Sequence, residues 1–214
     1  MKAKLFILLF AVGCLLLYSS ARYMEDSISI RQIETDLPII LGGNVEVDIV
    51  PRIHFPLVFE FRDDFSKERR WSNITYFYRN IRRGRGGWVS NIRVYQKDEN
   101  ELRCIYSIVL ERTEELKRGR VQIVVYTSHE IDRSTETQLE LKFYLEQLRQ
   151  RGVIGADTLS VGTLREFRER HPELVKTLLG GDSIRFNMWG IGSDFYCPRR
   201  MALDTLITLP IKIF

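Results

Sequence analysis

The chain has 214 residues, of which 44% are hydrophobic and 28% charged, and its formal net charge is +4. This composition is ordinary for a globular protein and excludes a low-complexity chain. Without Lys2 and Lys4 the net charge falls to +2, so a whole-protein field that attracts polyanions is excluded as well.

The N-terminus has the three-part plan of a secretory signal. Lys2 and Lys4 give a positive start, residues 5–18 form an apolar run, and residues 19–21 are small. The run is shorter than the ~20 apolar residues of a membrane-spanning helix. We therefore expect residues 1–21 to be a signal peptide cleaved after Ala21 or, alternatively, an N-terminal membrane anchor.

Lipidation at Cys14 is a third possible fate of the exported chain. Ala11-Val12-Gly13-Cys14 resembles a bacterial lipoprotein cleavage site, in which small residues precede a cysteine. Ala11 stands where leucine is usual, and three leucines follow the cysteine, so cleavage after Ala21 is favoured. Each of the three fates implies an extracytoplasmic location: periplasmic, secreted or membrane-anchored.

Two cysteines, Cys104 and Cys197, remain beyond the N-terminal segment. In an oxidising compartment, a disulfide between them would join the central sheet to the C-terminal segment. The alternative is two separate buried thiols, because free cysteine is often buried.

The first half of the chain predicts strands followed by a helix. Residues 22–43 are predicted to be an irregular lead-in to a single α+β domain at 44–214. Alternating apolar residues predict one strand that Pro51 ends and a second strand with an aromatic face; these are Val45, Val47 and Ile49, then Phe55, Leu57, Phe59 and Phe61. A helix is predicted next, from helix-start residues at 63–66 and an apolar stripe of Trp71, Ile74, Tyr78 and Ile81.

The second half predicts a meander, two helices and further strands. Alternation within 88–97, 102–110 and 121–127, with short links, predicts an antiparallel β-meander. The pairs Thr135/Gln138 and Thr163/Glu166 have capping-box spacing, and Pro172 interrupts the second helix. The predicted fold class is α+β, with an antiparallel β-meander core, one helix before it, two after it, and a C-terminal strand.

An arginine-rich stretch is the most distinctive local feature. It contains Arg79, Arg82, Arg83, Arg85 and Trp88. One glycine lies between the last two arginines, and two more lie between Arg85 and Trp88. One interpretation is architectural: basic residues end a helix and glycines make the turn into a strand. The other is a binding patch for anionic lipid, glycan or partner carboxylates, because guanidinium groups match such anions. Nucleic acid is not expected as a partner of an exported protein.

Catalytic and metal motifs are weak in this sequence. No pair among His54, His129 and His171 has zinc-site spacing, so we expect no metal and no cofactor. Residues 128–130 are Ser-His-Glu, but neighbouring strand side chains point to opposite faces and cannot form a triad. We therefore expect a cell-envelope protein that acts by binding an envelope protein or an anionic surface ligand. The alternative is a small extracytoplasmic hydrolase whose active-site residues come from distant segments.

Overall fold

The structure, a computed structural model, describes residues 29–62, 69–79, 92–98, 101–104, 120–190 and 205–214. These residues form two antiparallel sheets and a group of helices. The strands are β1 (Ser29–Ile33), β2 (Ile40–Asn44), β3 (Ile49–Arg62), β4 (Arg69–Phe77), β5 (Arg93–Asp98), β6 (Glu101–Cys104), β7 (Arg120–Glu130), β8 (Ala156–Ser160), β9 (Ser183–Gly190) and β10 (Thr205–Pro210). The helices are α1 (Thr135–Gln150), α2 (Leu164–Arg170) and α3 (Pro172–Leu179). The predicted α+β class with antiparallel strands is confirmed.

The large sheet is organised around β3. Its strand order is β6-β5-β7-β3-β2-β8, and β1 pairs with β3 beyond the end of β2. One edge of β3 pairs with β7 from Arg52 to Arg62, whereas its other edge pairs first with β2 and then with β1. The small sheet has the order β10-β9-β4.

Alternation in β3 explains its central place. The predicted aromatic face is confirmed, since Phe55, Leu57, Phe59 and Phe61 are all buried. Pro51 does not end the strand as predicted, because the pairing of β2 with β3 shifts between Gly42 and Asn44. A proline without an N–H group is tolerated at such an irregularity.

The strand predicted from the alternation of residues 45–49 is wrong. Residues 45–48 form a turn, in which the Asn44 side chain accepts hydrogen bonds from the N–H groups of Glu46 and Val47. Asp48 completes the turn at φ 54°. Local side-chain hydrogen bonding of this kind competes with strand formation.

The irregular lead-in predicted for residues 22–43 needs correction over its described part. It contains β1 and most of β2. Both strands form backbone hydrogen bonds with the edge of β3 that lies opposite β7. Pairing with β3 therefore makes this segment a strand region. The side-chain pattern of residues 29–43 does not show that β3 is the partner.

The helix predicted before the meander is also wrong over the described residues 69–79. This segment forms β4, which pairs with β9. The segment is rich in aromatic and β-branched residues, which favour strands. Tyr76 is buried, and Ile74 and Tyr78 are partly buried against the same core, so the effective period is two. The helical spacing of three and four residues between these apolar side chains therefore does not reflect a helix.

The meander strands are antiparallel, but their order in space differs from their order in the chain. β5 pairs with both β6 and β7, so β5 lies between them. β6 is described only from Glu101 to Cys104.

The helices after the meander agree closely with their sequence signals. The predicted stripe of α1 is buried, and the capping box of Thr163 and Glu166 is formed at α2. Pro172 begins α3, so His171 separates two short helices. The predicted capping box at α1 is not formed. Gln138 instead accepts a 2.8 Å hydrogen bond from the N–H group of Val50 and donates to the Val50 carbonyl, which attaches the helix to β3.

One face of the large sheet is covered in two parts. The helices cover the end that contains Ile53 and Phe55, and we call this cluster the helix core. The small sheet covers the end that contains Phe59 and Phe61, and we call this cluster the sheet core. The ring centroid of Phe186 on β9 lies 5.0 Å from that of Phe59 and 5.2 Å from that of Phe61, and both ring pairs are edge to face.

Candidate functional site

The second face of the large sheet belongs to neither core. Its middle is formed by Val58 and Val124, which are buried but lie outside both core clusters. Side chains of one face alternate along each strand and lie opposite each other across the strands. The pairing of the strands therefore maps this face directly. Its titratable members with described side chains are Arg31, Arg52, His54, Glu60, Arg62, Arg93, Tyr95, Lys97, Tyr126 and Glu130, and we call it the basic face.

Charge on the basic face is unbalanced. Among the side chains that the structure describes, those of five arginine and lysine residues and two carboxylates lie on it. Glu60 is 10% exposed and receives hydrogen bonds from Arg31 at 2.9 Å and from Arg62 at 2.8 Å. Burial alone would raise the pKa of Glu60, but these two arginines outweigh it and lower that pKa. Glu60 therefore stays ionised and is shared by two cations.

A second group on this face consists of two arginines and a histidine, and Glu130, the strand neighbour of Arg52, forms no ion pair with it. Arg52 and His54 follow one another on the same face of β3, and Arg93 comes from β5. Both arginines are exposed, and His54 is half-buried. Burial lowers the pKa of His54, and the charges of Arg93 and Arg52 lower it further. The imidazole therefore lies in a positive local field, and we call these three residues the cationic corner.

Aromatic and apolar side chains fill the middle of the basic face. Tyr95 and Tyr126 meet edge to face with ring centroids 5.9 Å apart, and both are half-buried. They lie next to Val124, whereas Val58 continues the row to Ile33 on β1. Val58 and Val124 are 1% and 0% exposed, so the accessible part of this middle is the half-buried pair of tyrosines. Tyrosine and arginine are enriched in protein-binding surfaces.

A buried polar cluster lies where the helix core meets the sheet core. Asp182 is 1% exposed and accepts hydrogen bonds from the Tyr76 hydroxyl at 2.8 Å and from the Arg79 N–H group at 2.7 Å. His129, 4% exposed, has Nδ1 4.0 Å from the same carboxylate and Nε2 3.0 Å from the Thr127 hydroxyl. We call these residues the junction cluster.

Burial shifts the pKa of each acid and base in the junction cluster. It lowers the pKa of His129 to about 3, with a smaller contribution from His54. It raises the pKa of Asp182, which the two hydrogen bonds offset in part. It also raises the pKa of Tyr76, and the Asp182 charge adds to that shift. His129 is therefore neutral at pH 7, and the cluster is a closed packing element.

A second histidine forms a row of hydroxyl, imidazole and carboxylate. His171 Nε2 lies 3.0 Å from the Tyr144 hydroxyl, and its Nδ1 lies 2.6 Å from Glu140. The row has the atom order of a nucleophilic triad. Tyr144 is 2% exposed, however, and its ring stacks on Phe167. The hydroxyl is therefore packed inside the helix core.

A small depression lies on the described surface, and neither His129 nor His171 lines it. Ile33, Thr35, Leu164 and Phe214 contribute to the walls of this depression. Its two charged side chains, Glu34 and Arg165, pair with each other. It therefore lacks the converging, unpaired polar groups of an enzyme pocket.

The residues predicted as a binding patch are described only in part. Arg79 follows β4 and is exposed, so its predicted place in the last turn of a helix is wrong. Its N–H group binds Asp182. Arg82, Arg83, Arg85 and Trp88 lie outside the described residues, as does Cys14.

Of the two cysteines in the predicted disulfide, the structure describes only Cys104. Cys104 lies on β6 opposite Tyr95, is half-buried, and has a free thiol. Cys197 lies outside the described residues.

The sequence analysis did not predict the basic face, because it used only the apolar residues that alternate along each strand. The signal was present in the other phase of β3, where Arg52, His54, Glu60 and Arg62 alternate with the buried aromatic residues. The contribution of Arg93 could not be read in the same way, since it depends on which strand lies beside β7.

Comparisons with known proteins do not identify a family. No family model, no curated protein and no solved structure matches the chain. Within the described residues, no helix is long and apolar enough to cross a membrane.

Proposed function

We propose that this chain is an exported or membrane-tethered cell-envelope protein that binds an anionic envelope component through the basic face. The observation that carries the proposal is the composition of this face. Unbalanced basic side chains surround Tyr95 and Tyr126 on the side of the sheet that neither core uses. Complementary charge would orient an anionic partner, and burial of the aromatic middle would hold it.

The N-terminal sequence supports the location. A short positive start, an apolar run and small residues at 19–21 form the plan of an export signal. Fractionation of cells and the intact mass of the mature protein test this part. Cleavage after Ala21, a lipid on Cys14 and an unprocessed anchor each give a different mass. Full-length protein in the cytosol would contradict the proposal.

Site-specific photo-cross-linking in intact cells tests the binding surface. A photoreactive phenylalanine analogue at Tyr95 reports on the middle of the basic face. The same analogue at Phe143, which is 63% exposed on α1, is the matched control. We expect an anionic component, identified by mass spectrometry, to be captured from position 95 and not from position 143. Capture should weaken when Lys97 is replaced by glutamine.

Two results would contradict the proposed surface. One is equal capture of the same component from positions 95 and 143. The other is capture from position 95 that is unaffected by salt or by Lys97→Gln, because binding through unbalanced charge is screened by salt.

A hydrolase is the alternative, and its best support is the row of Tyr144, His171 and Glu140. The burial of Tyr144 argues against it, since a nucleophile must reach its substrate. The Tyr144→Phe variant distinguishes the two functions. A binding protein keeps its cross-link in this variant, whereas a hydrolase that uses the row loses its activity.

A further inference from the structure

We propose that the cationic corner, formed by Arg52, His54 and Arg93, is a binding site for a phosphate group. The inference rests on the proposed function and deepens it, because it names the chemistry that the basic face recognises.

The strand pairing brings the three residues to one place. Arg52 and His54 are separated by one residue of opposite orientation on β3, so their side chains leave the same face. Arg93 pairs with Tyr126, which in turn pairs with Pro56, the next residue of this face after His54. β7 lies between β3 and β5, so these two strands are about 9.6 Å apart, twice the spacing of neighbouring strands. After burial, the charge of Arg93 is the next cause of the lowered pKa of His54, so Arg93 acts on His54 across this distance.

The pairing of Arg31 and Arg62, the other arginines of the basic face whose side chains the structure describes, sets the cationic corner apart. Arg31 and Arg62 share the Glu60 carboxylate, and Arg149 pairs with Asp48 and Glu146. No described carboxylate forms an ion pair with Arg52 or Arg93, although Glu130 is the strand neighbour of Arg52. Within the described part of the chain, no carboxylate therefore neutralises their guanidinium groups.

The number of charges favours phosphate over a single carboxylate. Two guanidinium groups carry two positive charges, and a phosphate monoester carries about −1.5 to −2 at pH 7. Its oxygens provide enough acceptors for two guanidinium forks and an imidazole N–H group. Burial and then the charges of the two arginines lower the pKa of His54, and this pKa should rise when the anion neutralises the arginines. Protonation of His54 then adds a third donor with charge.

Histidine NMR on the full chain, with inorganic phosphate as the probe, tests the site. The His54 signal is assigned by comparison with the His54→Gln variant. We expect phosphate to raise the pKa of His54 in a saturable way and chloride of equal ionic strength to leave it nearly unchanged. Arg52→Gln and Arg93→Gln should each weaken phosphate binding about tenfold, which is the size of one charge-assisted hydrogen bond.

Arg133→Gln is the matched control, since Arg133 is exposed in the connection between β7 and α1. It should bind phosphate as the wild type does. The proposal is overturned if chloride shifts the His54 signal as phosphate does, or if Arg133→Gln weakens binding as much as Arg52→Gln. Each variant is checked for an unchanged unfolding midpoint, so that loss of binding is not loss of fold.

Vesicles identify the source of the phosphate. All variants keep the same N-terminal segment, so a difference between them reports on the cationic corner. Weaker binding of Arg52→Gln and Arg93→Gln to phosphatidylglycerol vesicles, but not to phosphatidylcholine vesicles, assigns a lipid phosphodiester. Binding of inorganic phosphate with no such difference assigns a phosphate on a soluble or polymeric ligand.

The two proposals fail separately. Phosphate binding in the purified chain without a cross-link at position 95 in cells would overturn the envelope function and retain the anion site. A cross-link at position 95 without phosphate binding would do the reverse.

Discussion

Tyr76 and Asp182 are 106 residues apart in the sequence and form a buried 2.8 Å hydrogen bond. Tyr76 lies on β4, and Asp182 lies between α3 and β9. The bond therefore holds the small sheet to the end of the helices, where the two cores meet. The Asp182 carbonyl also accepts from the N–H group of Ile211, so one residue joins three segments.

Removal of the Tyr76 hydroxyl should destabilise the protein. Tyr76→Phe leaves a buried carboxylate oxygen without its nearest donor, and such a loss costs about 1–3 kcal/mol. Chemical denaturation measures the change in the free energy of unfolding. Tyr78→Phe is the matched control, because the Tyr78 hydroxyl accepts only a 3.4 Å hydrogen bond and lies in a less buried place. Equal costs for the two variants would show that the bond to Asp182 contributes nothing.

The junction cluster should make the free energy of unfolding depend on pH in two opposite ways. The pKa of His129 is about 3 in the folded protein and about 6.5 in the unfolded chain. The unfolded chain therefore gains a proton first, and stability from His129 is lost as the pH falls from 6.5 toward 3. The pKa of Asp182 is raised by folding. The contribution of Asp182 to the free energy of unfolding therefore falls as the pH rises above its pKa in the unfolded chain, which is near 3.9.

Two variants separate these contributions between pH 7 and about pH 4, close to the unfolded pKa of Asp182. His129→Gln removes the histidine contribution, so the loss of stability on acidification should become smaller than in the wild type. Asp182→Asn removes the opposing contribution, so the loss should become larger. Denaturation at several pH values gives both slopes. A change of slope in the same direction for both variants would be incompatible with these two shifts.

Gln138 should matter more than its position on a helix surface implies. Its side chain accepts from the N–H group of Val50 and donates to the carbonyl of Val50 and to that of Asp132. Gln138→Ala leaves the Val50 groups without these partners and should cost about 1–3 kcal/mol. Gln147→Ala, on the same helix, is the control and should cost well under 1 kcal/mol. Thermal or chemical unfolding compares the two.

The fold class could be predicted because periodicity and capping are local. The buried stripe of α1, the capping box of Thr163 and the restart at Pro172 each depend on residues within a few positions of one another. The aromatic face of β3 is equally local. These signals were sufficient for the antiparallel α+β class.

What could not be predicted depends on partners that are distant in the chain. β4 is a strand because β9 lies beside it, although its apolar residues also fit a helical spacing. β1 and β2 are ordered by the edge of β3. The cationic corner needs β5 to lie next to β7, and alternation within β5 does not show its neighbours.

Gly181 should report on the place of Arg79, the one described residue of the predicted arginine patch. Gly181 has φ 85°, and an added Cβ would lie 2.3 Å from the Arg79 Cδ. Gly181→Ala should therefore cost the ~1–2 kcal/mol of a left-handed alanine and, because the exposed Arg79 side chain can move aside, only a small excess. Gly152→Ala is the control, since its φ is 73° and nothing lies within 4 Å of an added Cβ. In an Arg79→Ala background, the excess cost of Gly181→Ala should disappear in a double-mutant cycle of unfolding free energies. An excess that persists would place Arg79 away from Gly181.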